Sequence, residues 1–405
     1  MRKINIVGAG QSGLQLAIGL LKNGYDVTMY SDRTPEQIYE GPVMSTQCMF
    51  DSSLQTERDL GLNLWDDECP AIEGLRLSIA TPDGQKALTW ESALDATAQS
   101  VDQRLKFPAW MRLFEKLGGT LIIKSVDVAD TDTMGGDLTI VASGKGAIGQ
   151  LFARDEQRSP YDQPQRVLAL SCVKGMPVTE PLNVVAFNII PGEGECFIMN
   201  GLTTSGPCHF LIMEGIPGGK LDCWQDVTTP LEHLQRTKDL LNTFLPWEGE
   251  RLRDAQLTDE KAVLRGRVTP TVKHPVARTA SGTFVLGMAD VVVLNDPITG
   301  QGSNNAAKCA SVYLTRILEH GDQPFDVAWM QQTFDIYWEY AQWVTGWTNA
   351  MLQPPPPHVQ QILGAAASMP QVAHRFVNAF NDPREFFPWL ADPVEADKML
   401  NLYHA

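Results

Sequence analysis

Gly8-Ala-Gly10-Gln-Ser-Gly13 is the first place along the chain where residue types and spacing can do chemistry. In a strand–turn–helix setting, the first glycine of such a run permits a tight turn. The second lets a pyrophosphate approach the backbone, and the third lets helix and strand pack closely. The amides at the helix start then point at the phosphates. A dinucleotide is the ligand this arrangement suits. Gly8, Ala9, Gly10, Gln11, Ser12 and Gly13 are therefore candidate cofactor residues. The acid that usually holds a ribose hydroxyl would fall near Ser31, but the nearest is Asp32, followed by Arg33. Both enter the candidate set, and the displaced acid weighs against a plain NAD-dependent dehydrogenase, which stays as the alternative from another class.

A second glycine run, Gly144-Lys-Gly146-Ala-Ile-Gly149, follows another apolar strand. No long helix and no second strand ending in an acid come after it, so it reads as a structural turn beside the first nucleotide rather than as a separate NAD(P)H site. The third feature is Gly287-Met-Ala-Asp290 followed by Asp296-Pro297-Ile-Thr-Gly300-Gln301-Gly302-Ser303-Asn304-Asn-Ala306. Strand, loop and helix follow one another again, which aims a helix N-terminus at something anionic or electron-rich.

The elements that must carry these loops can be read from periodicity. Lys3 to Val7, then Leu14, Leu16, Ala17, Leu20 and Leu21 at helical spacing, then Tyr25 to Tyr30, make a βαβ unit. Thr34 to Asp102 is irregular, with strands at 75–80 and 87–90. A helix is expected over 104–117, headed by Arg104, which joins the cofactor candidates, with strands at 120–123 and 138–142. Between 166 and 268 strands punctuated by Gly and Pro, interrupted by a helix over 231–244, suggest a mostly antiparallel sheet. A strand at 283–287 and a helix over 305–318 follow. From Phe325 the chain is helical and rich in Trp until Pro354-Pro-Pro-Pro357 breaks it.

The expected fold is α/β: a Rossmann-like dinucleotide-binding domain, which the resemblance given below makes an FAD-binding domain with a β-sheet substrate domain, and C-terminal helices. Its expected division is 1–70 with 103–160 and 280–322, then 71–102 with 161–279, then 323–405. A formal net charge of −16 weighs against nucleic acid and anionic membrane partners. The seven cysteines, Cys48, Cys69, Cys172, Cys196, Cys208, Cys223 and Cys309, are scattered without a CxxC pair, as expected of free thiols in a reducing compartment. No signal-peptide pattern and no long apolar run is found, so a cytoplasmic location is expected. The histidines, His209, His233, His274, His320, His358, His374 and His404, have no metal-binding spacing. No nucleophile elbow appears. The Trp-rich stretch reads as packed core, with a pocket roof or a docking surface as the other readings.

The N-terminal loop together with Asp296-Pro297 and Gly300-Gln-Gly302 resembles the single-FAD-domain monooxygenases of the para-hydroxybenzoate hydroxylase type. Within them the chain resembles the two-component (group E) styrene and indole monooxygenases. The likeness runs nearly end to end, including Leu138-Thr-Ile-Val-Ala-Ser-Gly-Lys145 and the Trp-rich helices. It implies FAD, reduced by a separate NAD(P)H-dependent flavin reductase, with O2 as co-substrate. In line with that, the mid-chain Asp-Gly stretch by which one-component hydroxylases bind NADPH has no counterpart. Where the styrene type carries Asn, Val and His on alternate positions, this chain has Ser45, Gln47 and Met49, the pattern of the indole branch. Alternation would put these three on one strand face. Ile72, Leu75 and Ala98 occupy the other pocket positions; ordinary sheet packing is the competing reading for all six. The implied reaction is epoxidation of the C2=C3 bond of indole toward indoxyl and indigo, with styrene and sulfides as further substrates. A styrene epoxidase and a catalytically silent FAD-binding partner are the alternatives within the resemblance. No catalytic acid or base is assigned, Gln47 or Ser45 being expected to orient the indole N–H. A homodimer is compatible with the sequence.

Overall fold

The structure is a computed structural model that describes residues 2–144 and 146–403. Lys145 and His404, both named above, lie outside the described residues. The chain opens with β1 (Lys3–Val7), α1 (Gln11–Lys22) and β2 (Asp26–Ser31), and continues through α2 (Pro35–Tyr39) and α3 (Asp51–Arg58). The long hairpin β3 (Ile72–Ala80) and β4 (Lys86–Ala98) follows, then α4 (Gln103–Lys116), β5 (Thr120–Ile123), α5 (Val128–Thr131), β6 (Leu138–Val141) and α6 (Gly146–Gln150).

The middle of the chain supplies β7 (Val167–Lys174), β8 (Val184–Ile190), β9 (Gly194–Thr203) and β10 (Gly206–Gly215), then α7 (Pro230–Phe244) and α8 (Pro246–Leu252). Short strands come next: β11 (Gln256–Leu257), β12 (Val263–Arg267), β13 (Thr271–Val272), β14 (Val276–Arg278), β15 (Phe284–Gly287) and β16 (Val293–Leu294). The helices α9 (Gly302–His320), α10 (Val327–Met351), α11 (Pro357–Ala366), α12 (Pro370–Asn378) and α13 (Pro393–Tyr403) finish it.

The first sheet has six strands in the order β14-β15-β6-β1-β2-β5, parallel except for β14. Ile4, Ile6, Ile140 and Leu286 are fully buried, as strands covered on both faces require. Helix α1 lies on this sheet and packs against α9. The second sheet runs β11-β7-β10-β9-β8-β3-β4, with β12 also on β7, and is antiparallel apart from the β3–β8 pair. Every residue of β9 is buried. One face of this sheet packs under α7 and α8, and the other turns toward the first sheet and the C-terminal helices.

Helix α10 ends at Met351, before the proline run, and α11 starts on its last proline. Trp347, Phe376, Phe380, Phe386 and Trp389 then form one aromatic cluster, with the Trp347 and Phe386 rings stacked at 4.3 Å. Trp329 is buried too, while Trp343 is open to solvent beside Phe387. No helix among the described residues is long and apolar enough to cross a membrane.

One expectation about local structure is corrected. Ser45, Gln47 and Met49, expected on one strand face, lie instead in a segment without strand structure, and of them Met49 alone makes a bridge, to Gln99. The loop is strapped instead by side chains: the Asn304 amide donates to the Cys48 carbonyl at 2.7 Å and accepts from the Phe50 amide at 2.9 Å.

Candidate functional site

A cavity of about 730 Å³ lies between the two sheets. Its phosphate end is the turn from β1 into α1. Gly8 takes φ of +118°, and a side chain there would press on Ala142 at 2.8 Å. A Cβ on Gly13 would run into the Gly8 carbonyl, whereas one on Gly10 would meet no protein atom. The room at Gly10 opens into the cavity. Helix α1 has no side-chain cap, and its first internal bond is Leu14 N–H to the Gly10 carbonyl, at 3.0 Å. The amides before it are left for an acceptor in the cavity. Gly8 through Ser12 line the cavity, and Gly13 shapes the turn from behind.

The second glycine run repeats this geometry in miniature. A Cβ on Gly149 would strike the Gly144 carbonyl, and Gly146 has open space. Gly144 and Gly146 line the same cavity as Gly8 and Gly10. Nearby, Asp32 and Arg33 sit at the rim, loosely paired at 3.4 Å, together with Lys124 and Asp127.

Across the cavity, α9 likewise starts without a side-chain cap, and its first bond runs from Asn305 N–H to the Gln301 carbonyl at 2.8 Å. Pro297, Gly300, Gly302 and Ser303 line the cavity here. Asp296 stands behind it, capping the short turn at Ile298 N–H with 3.1 Å. Gln301 donates to the Phe380 carbonyl, and Asn304 holds the 48–50 strap. These three shape the loop rather than face the cavity.

Arg104 is corrected: it does not reach the cavity. Its guanidinium is saturated by Asp102, Asp259 and Thr203 at 2.8 to 3.1 Å, tying α4 to the end of β9.

Asp290 was passed over among the candidate residues. It follows Ala289, the non-glycine residue found at positive φ, +49°. Such backbone strain gathers at functional sites. Its side chain is open to the cavity. It has no protein hydrogen-bond partner among the described residues, which suits a ligand hydroxyl.

The other end of the cavity is a wall of the second sheet. Alternate residues of neighbouring strands, Leu75, Leu170, Val185, Phe187, Phe197, Met199 and Ile212, face it. Of the six proposed pocket residues, Ser45, Gln47 and Leu75 line the cavity. Met49 packs with Leu54 and Ala307, and Ile72 and Ala98 are fully buried register partners in the hairpin.

Gln47 is already engaged, which corrects the role expected of it. It donates to Gln11 at 3.2 Å and accepts from Lys106 at 3.2 Å. Lys106 also pairs with Glu57, which accepts from Gln11 at 2.9 Å. This buried network under the phosphate loop escaped the sequence because a Lys and a Glu on amphipathic helices look like surface residues. Ser45, by contrast, is exposed to the cavity.

Two uncapped helix ends, a glycine turn with room beside it and an acid without a protein partner among the described residues are features that suit a dinucleotide. The fold is that of flavin-dependent oxygenases and halogenases, and the chain is a flavin-dependent enzyme related in sequence to monooxygenases. The solved structures it resembles include a flavin-dependent brominase, Bmp2, as a triple mutant (TM-score 0.68, 14% identity, all of both chains covered). They also include CtdE in complex with FAD (TM-score 0.63, 13% identity, 92% of this chain and 99% of that one). A third is 2-methyl-3-hydroxypyridine-5-carboxylic acid oxygenase (TM-score 0.58, 13% identity, 92% and 93%). More particularly, the chain is similar in sequence to styrene monooxygenases. It is 27% identical to styrene monooxygenase StyA of Pseudomonas fluorescens over 99% of its own length and 98% of that protein's. A second StyA, from Pseudomonas sp, is also 27% identical, over 97% and 96%. Residues 144–251 match the family model described as "Styrene monooxygenase A putative substrate binding domain".

Proposed function

We propose that this chain is the oxygenase component of a two-protein system, taking reduced FAD from a separate NAD(P)H-dependent flavin reductase and using O2 to epoxidise a small aromatic alkene, first of all the C2=C3 bond of indole. The observation that carries this reading is the single cavity that runs from the Gly8–Gly13 turn past the start of α9 to the apolar sheet wall. It would hold a dinucleotide and an aromatic ring in one compartment.

Reduced FAD supplies two electrons that activate O2, one oxygen atom entering the double bond and the other leaving as water. The chain's own residues do the positioning. Amides of Gln11 and Ser12 hold the pyrophosphate, Asp290 accepts from a hydroxyl, and the amides of Gly302 and Ser303 meet the electron-rich ring edge. Phe187, Phe197 and Met199 take the substrate ring out of water, at roughly 25 cal/mol per Å² of apolar surface buried. With Gln47 engaged, the Ser45 hydroxyl is the group that accepts from an indole N–H.

A second reading, styrene as substrate, is supported by the largely apolar wall, on which Glu214 is the carboxyl, and by the likeness to styrene monooxygenases. Chemically reduced FAD, air and either indole or styrene, added to the purified chain without a reductase, decides between them. Blue indigo from indole is the expected result. Equal or faster turnover of styrene would reverse the substrate order, and no oxygenated product from either would refute oxygen transfer. Hydride transfer to a nicotinamide with no flavin present would establish the dehydrogenase alternative.

A further inference from the structure

Where the substrate sheet meets the loop before α9, the protein buries more carboxyl groups than cations. Glu195 on β9 and Glu214 on β10 stand directly opposite each other in register, a placement in which like charges repel. One guanidinium answers them: Arg166 grips Glu195 through Nε and Nη2, at 2.7 and 2.9 Å. Asp296, from the cofactor loop, is the third carboxyl. The charged groups facing Glu214 are thus Asp296, Glu195 and Arg166. Three acids share one cation.

Both oxygens of Glu214 and Oδ2 of Asp296 are sealed from solvent and receive no N–H or O–H from any other described residue. The two carboxyls lie against each other. Two carboxylates are acceptors only, so a bond between them exists only when one keeps a proton. Burial, and then the charges of Asp296 and Glu195, hold the Glu214 acid well above the usual carboxyl range. Burial raises Asp296 to about 6, with the bond from Glu214 acting the other way. The proton therefore sits on Glu214, and Asp296 accepts it while its Oδ1 caps the turn at Ile298.

We propose that Glu214 is a positioning residue: its proton, shared with Asp296, latches the loop 295–303 to the substrate sheet, and FAD binding needs that latch. This rests on reading the loop as an FAD contact. Once the proton is lost, two adjacent buried anions repel, the loop is driven off the sheet, and the α9 amides leave their place in the cavity.

The test is the dissociation constant of oxidised FAD, read by flavin fluorescence from about pH 6 to about pH 10 in the native chain and in Glu214→Gln. An amide at this position donates to Asp296 with no proton to lose. The native chain is expected to lose up to about tenfold in affinity per pH unit once the pair gives up its proton, while Glu214→Gln stays flat. Equal slopes in the two proteins would overturn the proposal. A second reading uses the chain without FAD. A raised folded-state value means that native stability falls as pH climbs from the ordinary Glu value through the folded one. The melting temperature of Glu214→Gln should then gain on the native one as pH rises, and a constant gap would count against the shared proton. If neither protein binds FAD at any pH, the cofactor assignment fails, a result distinct from equal slopes.

Discussion

Asp290 is the residue on which the cofactor assignment can be tested most directly. A carboxylate that faces a ligand hydroxyl contributes a charge-assisted bond of roughly 1.5 to 3 kcal/mol. Asp290→Ala should therefore weaken FAD binding by about 10-fold to 100-fold while melting near the native temperature. Equilibrium titration with FAD reads the first and a thermal melt the second. Ser45→Ala should raise the KM for indole by about 2-fold to 10-fold, the worth of one neutral hydrogen bond, and leave that for styrene unchanged. Lys106→Met tests the network beneath the turn. It strands Glu57 as a buried, unpaired charge, which costs about 3 to 5 kcal/mol in denaturant unfolding. Replacing Glu57 by Leu as well should recover much of that loss.

At the scale of elements, the β1–α1 turn separates fold from binding. Gly10→Ala adds a methyl where no protein atom stands, so stability should stay within about 0.5 kcal/mol, while FAD affinity drops tenfold or more. Gly13→Ala pushes its methyl into the Gly8 carbonyl and should cost about 1 to 3 kcal/mol whether or not FAD is present. Thermal melts with and without FAD separate the two. These elements were legible in the sequence because each rests on a local signal: apolar runs of buried parallel strands, glycines at a strand end, helical spacing after them. What was not legible depends on distant partners. The 43–50 segment alternates like a strand, yet it finds a side-chain strap from Asn304 in place of a neighbouring strand for most of its length. Arg104 heads a helix as an anion ligand would, but two aspartates, one of them 155 positions away, saturate it. Asp290 lay in plain view in the sequence, but the strain at Ala289 that marks it exists only in three dimensions.

Over the whole molecule, acid stability is a contest between buried groups of opposite kind. His209 and His233 are held neutral by burial, their acids lowered to about 4. Each contributes stability that is whole above the ordinary histidine value near 6.5 and is lost as pH falls toward about 4. Replacing His233, which is stacked on Trp224 and bonded to Ser171, by Gln should therefore shrink the native chain's advantage as pH falls through that window, as read by melting temperature. The site itself is assembled from segments near residues 8, 47, 144 and 300, so its walls are shared. The strapped loop 43–50 touches the phosphate turn through Gln47 and Gln11, and its Ser45 lines the same cavity as the apolar wall. An occupant at one end that settles this loop must change affinity at the other, and thermodynamic reciprocity makes the factor the same in both directions. Titrating FAD with and without a saturating aromatic, and the aromatic with and without FAD, measures that factor twice. A value above one means that the aromatic and the flavin recruit each other, so that flavin is retained best when substrate is already in place.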